Sequence, residues 1–384
     1  MMKALAGLRV LDFTTTIAGP HCTRLLADLG ADVIKVESPE GDMMRTRPPL
    51  RDGASSYFGQ LNAGKKSVVL DLKSPDAVEA AHRLAAGVDI LVENYRPGVM
   101  QRLGLDYAAL AKSNRRLIYC SISGYGQTGP SADIPAYAPV IHAASGFDLA
   151  NLAYQPGRQR PDYCGVYVAD VLAGTYAFAA IGAALHQRHA TGEGQHLDVS
   201  MLESMLSLTL GELQTAQFEV PPPPARPIFG PVATADGYIC MAVASERTFQ
   251  GMAAAAGRAD WITDARFAKY LDRRANWGAL MDEFEVWSKG LASAECLGAL
   301  DRNSVPAAAY RTVREAMADA QLAHRDAFGE VRDAGGSFKA LNPPFRMSRS
   351  ATSVGSHAPA LGEHTREVLC APHSAAADPR QSQG

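Results

Sequence analysis

Short apolar runs alternate with longer helical patterns over the first two hundred residues of the chain. Strand-like runs cover Leu8 to Phe13, Val33 to Glu37, Ser67 to Leu72, Val88 to Tyr95, Leu117 to Ser123 and His196 to Ser200. Between them, helical spacing covers Pro20 to Leu29, closed by Gly30, then Pro75 to Ala86 and Tyr107 to Ser113. Pro20 and Pro75 stand at first-turn positions, where a missing amide hydrogen does no harm. Repeated strand–helix–strand units predict an α/β fold with a mainly parallel sheet. A long Ala- and Gly-rich helix then leads through Gly192 and Gly194 to the strand His196 to Ser200 and a helix after Met201.

Four consecutive prolines, Pro221 to Pro224, read as a stiff connector and hence a domain boundary. Beyond them a turn and strand over Asp236 to Ala244 precede helical patterns at Glu246 to Ala256, Asn276 to Leu291 and Ala294 to Leu300. The expected organisation is a large domain over 1–220, completed by 330–372, and a smaller α+β domain over 226–325. The polar, small-residue stretch 373–384 is expected to be a disordered tail.

The Ala-rich helix holds the most informative residue. Asp170 is the only charged side chain between Cys164 and Leu185. An unpaired carboxylate is costly to take out of water, so it either rises in pKa or finds specific donors. From this stretch alone two readings stand, a working carboxylate or one that caps the start of a buried helix. Ala173 and Gly174 lie one turn on and leave space beside it. The run is long enough to span a membrane, but it is built on Ala and Gly, carries Asp170 and has no counterpart elsewhere, so a core helix is expected.

Composition narrows the rest. The 384 residues are 47% hydrophobic and 20% charged, with 37 Lys plus Arg against 40 Asp plus Glu, a net charge of −3. That balance points to no nucleic-acid or membrane surface, so an anionic ligand needs a local cluster. Arg9 and Asp12 interrupt the N-terminal apolar stretch and argue against a signal peptide, which makes a cytoplasmic protein the expectation. The six cysteines form no Cys-x-x-Cys pair, and neither a disulfide framework nor a metal site is expected.

Gly124-Tyr125-Gly126-Gln-Thr-Gly129 satisfies a dinucleotide-type glycine pattern, but Pro130, Pro135 and Pro139 follow it where a helix would have to open. A glycine-rich loop near a ligand is the better reading, its backbone amides being candidate oxyanion donors. Basic residues suited to phosphate occur at Lys65, Lys66 and Lys73, and at Arg96 and Arg102 after the strand ending near Asn94 and Tyr95. Solvated surface charges are the alternative.

These stretches together carry a resemblance. Leu8-Arg-Val-Leu-Asp-Phe-Thr14 with Ala18-Gly19-Pro20, Leu26-Ala-Asp-Leu-Gly-Ala-Asp-Val-Ile-Lys-Val-Glu37, Gly41 to Arg45, Asn62 to Lys73, Val92-Glu-Asn-Tyr-Arg-Pro-Gly98, Ser123 to Gly126, Ala169 to Gly174 and Thr191-Gly-Glu-Gly-Gln195 resemble the family III CoA-transferases, the CaiB/BaiF group. The resemblance implies a Rossmann-like large domain built from both ends of the chain, a smaller domain and an interlocked homodimer. It puts the catalytic aspartate on Asp170 and coenzyme contacts on Thr16, Ile17, Ala18, Leu72, Asn94, Tyr95, Arg102, Tyr137 and Met201. Lys73, Arg96, Gly124, Tyr125 and Gly126 belong to the same candidate coenzyme surface. The substrates implied are an acyl-CoA and a carboxylic acid, exchanged through an aspartyl anhydride and an aspartyl-CoA thioester. Coenzyme A is then a substrate moiety, with no permanently bound cofactor.

Two departures touch specificity. Ser38 stands where some relatives carry an arginine beside the adenine, and a glycine-rich loop of oxalate-handling members has no counterpart near Pro221 to Gly230. Arg45, Arg47, Tyr137 and His142 are candidates for a second substrate carboxylate. Two other readings remain: an α-methylacyl-CoA racemase, which would need a His where this chain has Tyr137, and a non-catalytic acyl-CoA-binding protein.

Overall fold

The computed structural model describes residues 2–155, 157–218 and 228–370, so the tetraproline connector and the expected tail lie outside the described residues. The chain divides into two compact units, one drawn from Met1–Phe147, Cys164–Leu210 and Ala320–Gly384, the other from Asp148–Tyr163 and Gly211–Asp319. This division departs from the expected boundaries. Residues 148–163 fall in the second unit, tied to its later segment by a 2.6 Å hydrogen bond from the Tyr154 hydroxyl to Glu212.

The first unit is built on strands β1 (Arg9–Asp12), β2 (Asp32–Glu37), β3 (Lys66–Val69), β4 (Ile90–Glu93), β5 (Ile118–Ser123) and β6 (His196–Ser200). They form one six-stranded sheet in the order β3-β2-β1-β4-β5-β6, and every pairing is parallel. This is the doubly wound order, whose topological switch lies between β1 and β4. Alternate residues of each strand serve opposite cores, as a sheet buried on both sides requires. Val10, Val33, Val92, Cys120 and Val199 face one core; Leu11, Ile34, Val68, Leu91 and Tyr119 face the other.

Helices cover both faces. The first core takes α1 (Ala18–Asp28) and the long α4 (Val168–Thr191), and the second takes α2 (Pro75–Ala86) through Ala80, Ala81, Leu84 and Ala85. A further helix, α3 (Ala138–Ala144), packs near the start of α4; the sequence does not announce it, because Pro139 at its first turn reads equally as a loop. Although α4 is long and apolar enough to cross a membrane, its small residues Ala169, Ala173, Gly174, Ala177 and Ala184 are buried in the first core. One face of the helix lies in that core.

Small residues let α1 and α4 touch. A Cβ added at Gly174 would lie 2.4 Å from the Ala18 carbonyl oxygen, which is backbone and has nowhere to go. Gly174→Ala is therefore expected to cost about 1–3 kcal/mol in a urea unfolding titration. A loss below a few tenths would mean that the helices part freely here.

The second unit is α+β. Strands Val232–Ala233, Tyr238–Met241 and Ala307–Ala309 form a small antiparallel sheet. Helices Glu246–Ala255, Trp277–Ser288 and Ser293–Arg302 pack on it around Phe249, Trp261, Trp277 and Phe284.

Candidate active site

The loops leaving β1, β4, β5 and β6 surround a cleft at the carboxyl ends of the strands, beside the switch point. Its volume is about 250 Å³. Nine candidate residues line it: Thr16, Ala18, Asn94, Tyr95, Arg96, Gly124, Tyr137, Asp170 and Met201. Ala132, Ile134, Pro135 and Ala136 supply an apolar wall. Ile17 is the buried cap residue of α1, Leu72 packs on the second core, and Tyr125 packs on the first. Lys73, Arg102 and the buried Gly126 likewise do not line the cleft.

Asp170 sits in the first turn of α4 and receives a hydrogen bond from the backbone amide of Ala18, the first residue of α1. Two helix starts thus converge on one carboxylate, and each presents a partial positive charge. Burial dominates all the same, and raises its pKa from 3.8 to about 6, with the Ala18 amide opposing. The carboxylate is ionised at neutral pH yet poorly hydrated.

The loop before α1 is held from beneath by buried charges, among them Lys65, which the sequence offers for phosphate instead. Asp12, at the end of β1, accepts from the Thr14 amide at 2.9 Å and the Thr23 hydroxyl at 2.6 Å, and pairs with Lys65 at 2.9 Å. Lys65 also donates to the Pro20 carbonyl and to Asn62. Burial would raise the Asp12 carboxyl, but Lys65, Lys35 and the Thr14 and Thr23 hydroxyls outweigh it and hold it at about 2. Lys35 donates to the Thr14 carbonyl at 2.7 Å and pairs with Asp42 at 3.0 Å. Asp42 in turn accepts from the amide of Thr16, a β-branched residue at φ 71°. Such a conformation is strained for threonine and persists only where its surroundings dictate it.

Asn94 works on the same loop. Its side-chain oxygen accepts from the Thr15 amide, and its nitrogen donates to the Thr15 carbonyl, both at 2.9 Å. The residue therefore ties the loop after β1 to the loop after β4 besides lining the cleft.

Several expectations need correction. Lys65 is buried in the network and Lys66 pairs with Asp32 and Glu367, and neither lines the cleft. Arg45 is held by Glu37 and the Pro359 carbonyl and lies over the Phe58 ring, and His142 is only 1% exposed and lies outside the cleft lining. Neither lines the cleft, whereas Tyr137, 64% exposed, does. The amides of Gly126 and Gln127 are already engaged, by the Ser123 hydroxyl and by Asp198, which removes them as oxyanion donors. Gly124 is required for packing, since a Cβ there would lie 2.4 Å from that of Ala136.

The fold and the cleft define a doubly wound α/β protein with a desolvated carboxylate, Asp170, lining the cleft at its switch point. The family model described as CoA-transferase family III matches residues 5–365. The succinate–glutarate CoA-transferase of Agrobacterium fabrum is 33% identical over 95% of this chain and 94% of its own length. The acetyl-CoA:oxalate CoA-transferase of Acetobacter aceti is 36% identical over 83% of this chain and 84% of its own. Among solved structures, a CaiB/BaiF family protein from Brucella suis is similar at a TM-score of 0.84 and 32% identity, over 96% of this chain and 99% of that one. The hypothetical protein Rv3272 from Mycobacterium tuberculosis is similar at a TM-score of 0.85 and 31% identity, over 96% of this chain and 99% of that one. The chain belongs to family III of the CoA-transferases, the CaiB/BaiF group, and is an acyl-CoA:carboxylate CoA-transferase.

Proposed function

We propose that this enzyme moves coenzyme A by covalent catalysis on Asp170. The carboxylate attacks the thioester carbonyl of the donor acyl-CoA, and the carbon–sulfur bond breaks to give an acyl-aspartyl anhydride and CoA thiolate. The thiolate returns to the aspartyl carbonyl, releasing the donor acid and leaving an aspartyl-CoA thioester. The acceptor carboxylate attacks that thioester, forming a second anhydride and freeing the thiolate again. Attack of the thiolate on the acceptor's acyl carbon completes the exchange and regenerates Asp170. The half-buried carboxylate between two helix starts is the observation that carries this reading. Partial desolvation strengthens it as a nucleophile, while the Ala18 amide and helix termini keep it ionised.

Coenzyme A lies in the cleft along Thr16, Ala18, Asn94, Tyr95 and Met201, with Arg96 the cation available to a phosphate. The enzyme works as a homodimer. Val166, Val171, Tyr176 and Leu208 are exposed apolar side chains of the same unit, which a second copy would cover. Relatives named for succinate, glutarate and oxalate suggest short carboxylic acids as substrates. A racemase would need a proton-exchanging histidine, and none of the residues lining the cleft is one.

The test is trapping. Incubation with an acyl-CoA and hydroxylamine should convert Asp170 alone to the hydroxamate, seen by peptide mass spectrometry, with matching loss of activity. An unmodified Asp170 in enzyme that keeps full activity would overturn the covalent route.

A further inference from the structure

His142 lies on α3, and its ring packs on Phe147 with centroids 5.6 Å apart. Its Nε2 accepts the backbone N–H of Ala169 at 3.2 Å. A backbone amide only donates, so Nε2 carries a lone pair and the neutral ring holds its proton on Nδ1. That proton faces the Cys164 sulfur, 3.7 Å away, while the Cys164 thiol donates to the Val166 carbonyl at 3.3 Å. The chain from Cys164 through His142 to Ala169 ends one peptide bond from Asp170.

The start of α4 needs such a partner. Its cap residue, Tyr167, offers no side-chain hydrogen bond to the first-turn amides. A capping Asp would bring a second negative charge beside Asp170 and compete for the same helix end. A neutral imidazole supplied by another helix satisfies an amide without adding charge.

We propose that His142 is a positioning residue for CoA transfer: it caps α4 from outside and so fixes the direction in which Asp170 enters the cleft. The inference rests on Asp170 being the nucleophile, and its tests are separable from that reading.

The full-length enzyme is compared with His142→Leu, which removes the acceptor, and His142→Gln, whose amide oxygen reaches a similar point. In His142→Leu, hydrogen exchange should accelerate in the peptide spanning residues 164–172, and kcat should fall about tenfold or more with CoA affinity unchanged. His142→Gln should recover both to within about threefold. Equal kcat in the wild type and His142→Leu would overturn the proposal. So would a loss of CoA affinity as large as the loss of kcat, with no rescue by Gln, which marks a merely structural residue. The wild type alone gives another check: ¹⁵N chemical shifts should show His142 as the Nδ1–H tautomer, and the Nε2–H form would sink the assignment. If Asp170→Ala retained exchange activity, the nucleophile would be wrong, while the hydrogen-exchange comparison would still decide the capping.

Discussion

Replacing Asp170 by asparagine is expected to abolish CoA exchange, by about 10³-fold or more, while leaving CoA binding within a few-fold. The same variant should be more stable than the wild type at neutral pH. The Asp170 pKa in the folded protein, about 6, lies above its ordinary 3.8, so ionisation disfavours the native state. The sign follows: the neutral acid suits the fold fully below pH 3.8, and that advantage disappears as pH rises through 6. The asparagine side chain carries no charge at any pH. The variant's melting temperature should exceed that of the wild type by about 2 °C or more at pH 7.5, and the gap should close near pH 4. A gap independent of pH would mean that the desolvated charge is not its source. Wild-type kcat/KM should in turn rise about tenfold per pH unit below 6 and level off above it, following the ionised nucleophile. Activity unchanged between pH 5 and 7 would contradict the assignment.

Lys65→Met is expected to cost about 3–5 kcal/mol in urea unfolding, the loss typical of stranding a buried partner charge. Both members of the Lys65–Asp12 pair have side chains fully out of solvent, and Asp12 would be left with hydroxyl and amide donors but reduced neutralisation. Removing the charge from both, as Lys65→Met with Asp12→Asn, should recover at least about 1 kcal/mol of that loss. A single-variant loss below about 1 kcal/mol would show that water or rearrangement replaces the ammonium. Because Asp12 also holds the Thr14 amide, the variant should bind CoA more weakly even at temperatures where it stays folded.

How much of this was legible in the sequence depends on the range of the interaction. The strands read correctly because burial on both faces produces continuous apolar runs such as Ile-Leu-Val at 90–92. Asp170 was legible as a candidate because it is the lone charge among the twenty positions 165–184 and breaks a local pattern. Lys65 was misread because the residue that neutralises it, Asp12, is 53 positions away and meets it only once the ends of β1 and α1 are in place. Residue type alone cannot distinguish a lysine that grips phosphate from one that neutralises a buried aspartate. The glycine loop failed similarly: Gly126 and Gln127 look like free donors until Ser123 and Asp198 fold onto them. The hairpin of Phe328–Asp333 with Gly336–Leu341 went unseen, its alternation diluted by Gly329 and by charges at Glu330 and Arg332.

The paired bonds between Asn94 and Thr15 give the crevice a fixed gauge. At this point the spacing of the loops after β1 and β4 is set by one short amide side chain. A glutamine at that place would be longer by one methylene and would push these two loops apart, admitting thicker ligands. Selectivity for ligand thickness would then be encoded in a residue that need never touch the transferred group.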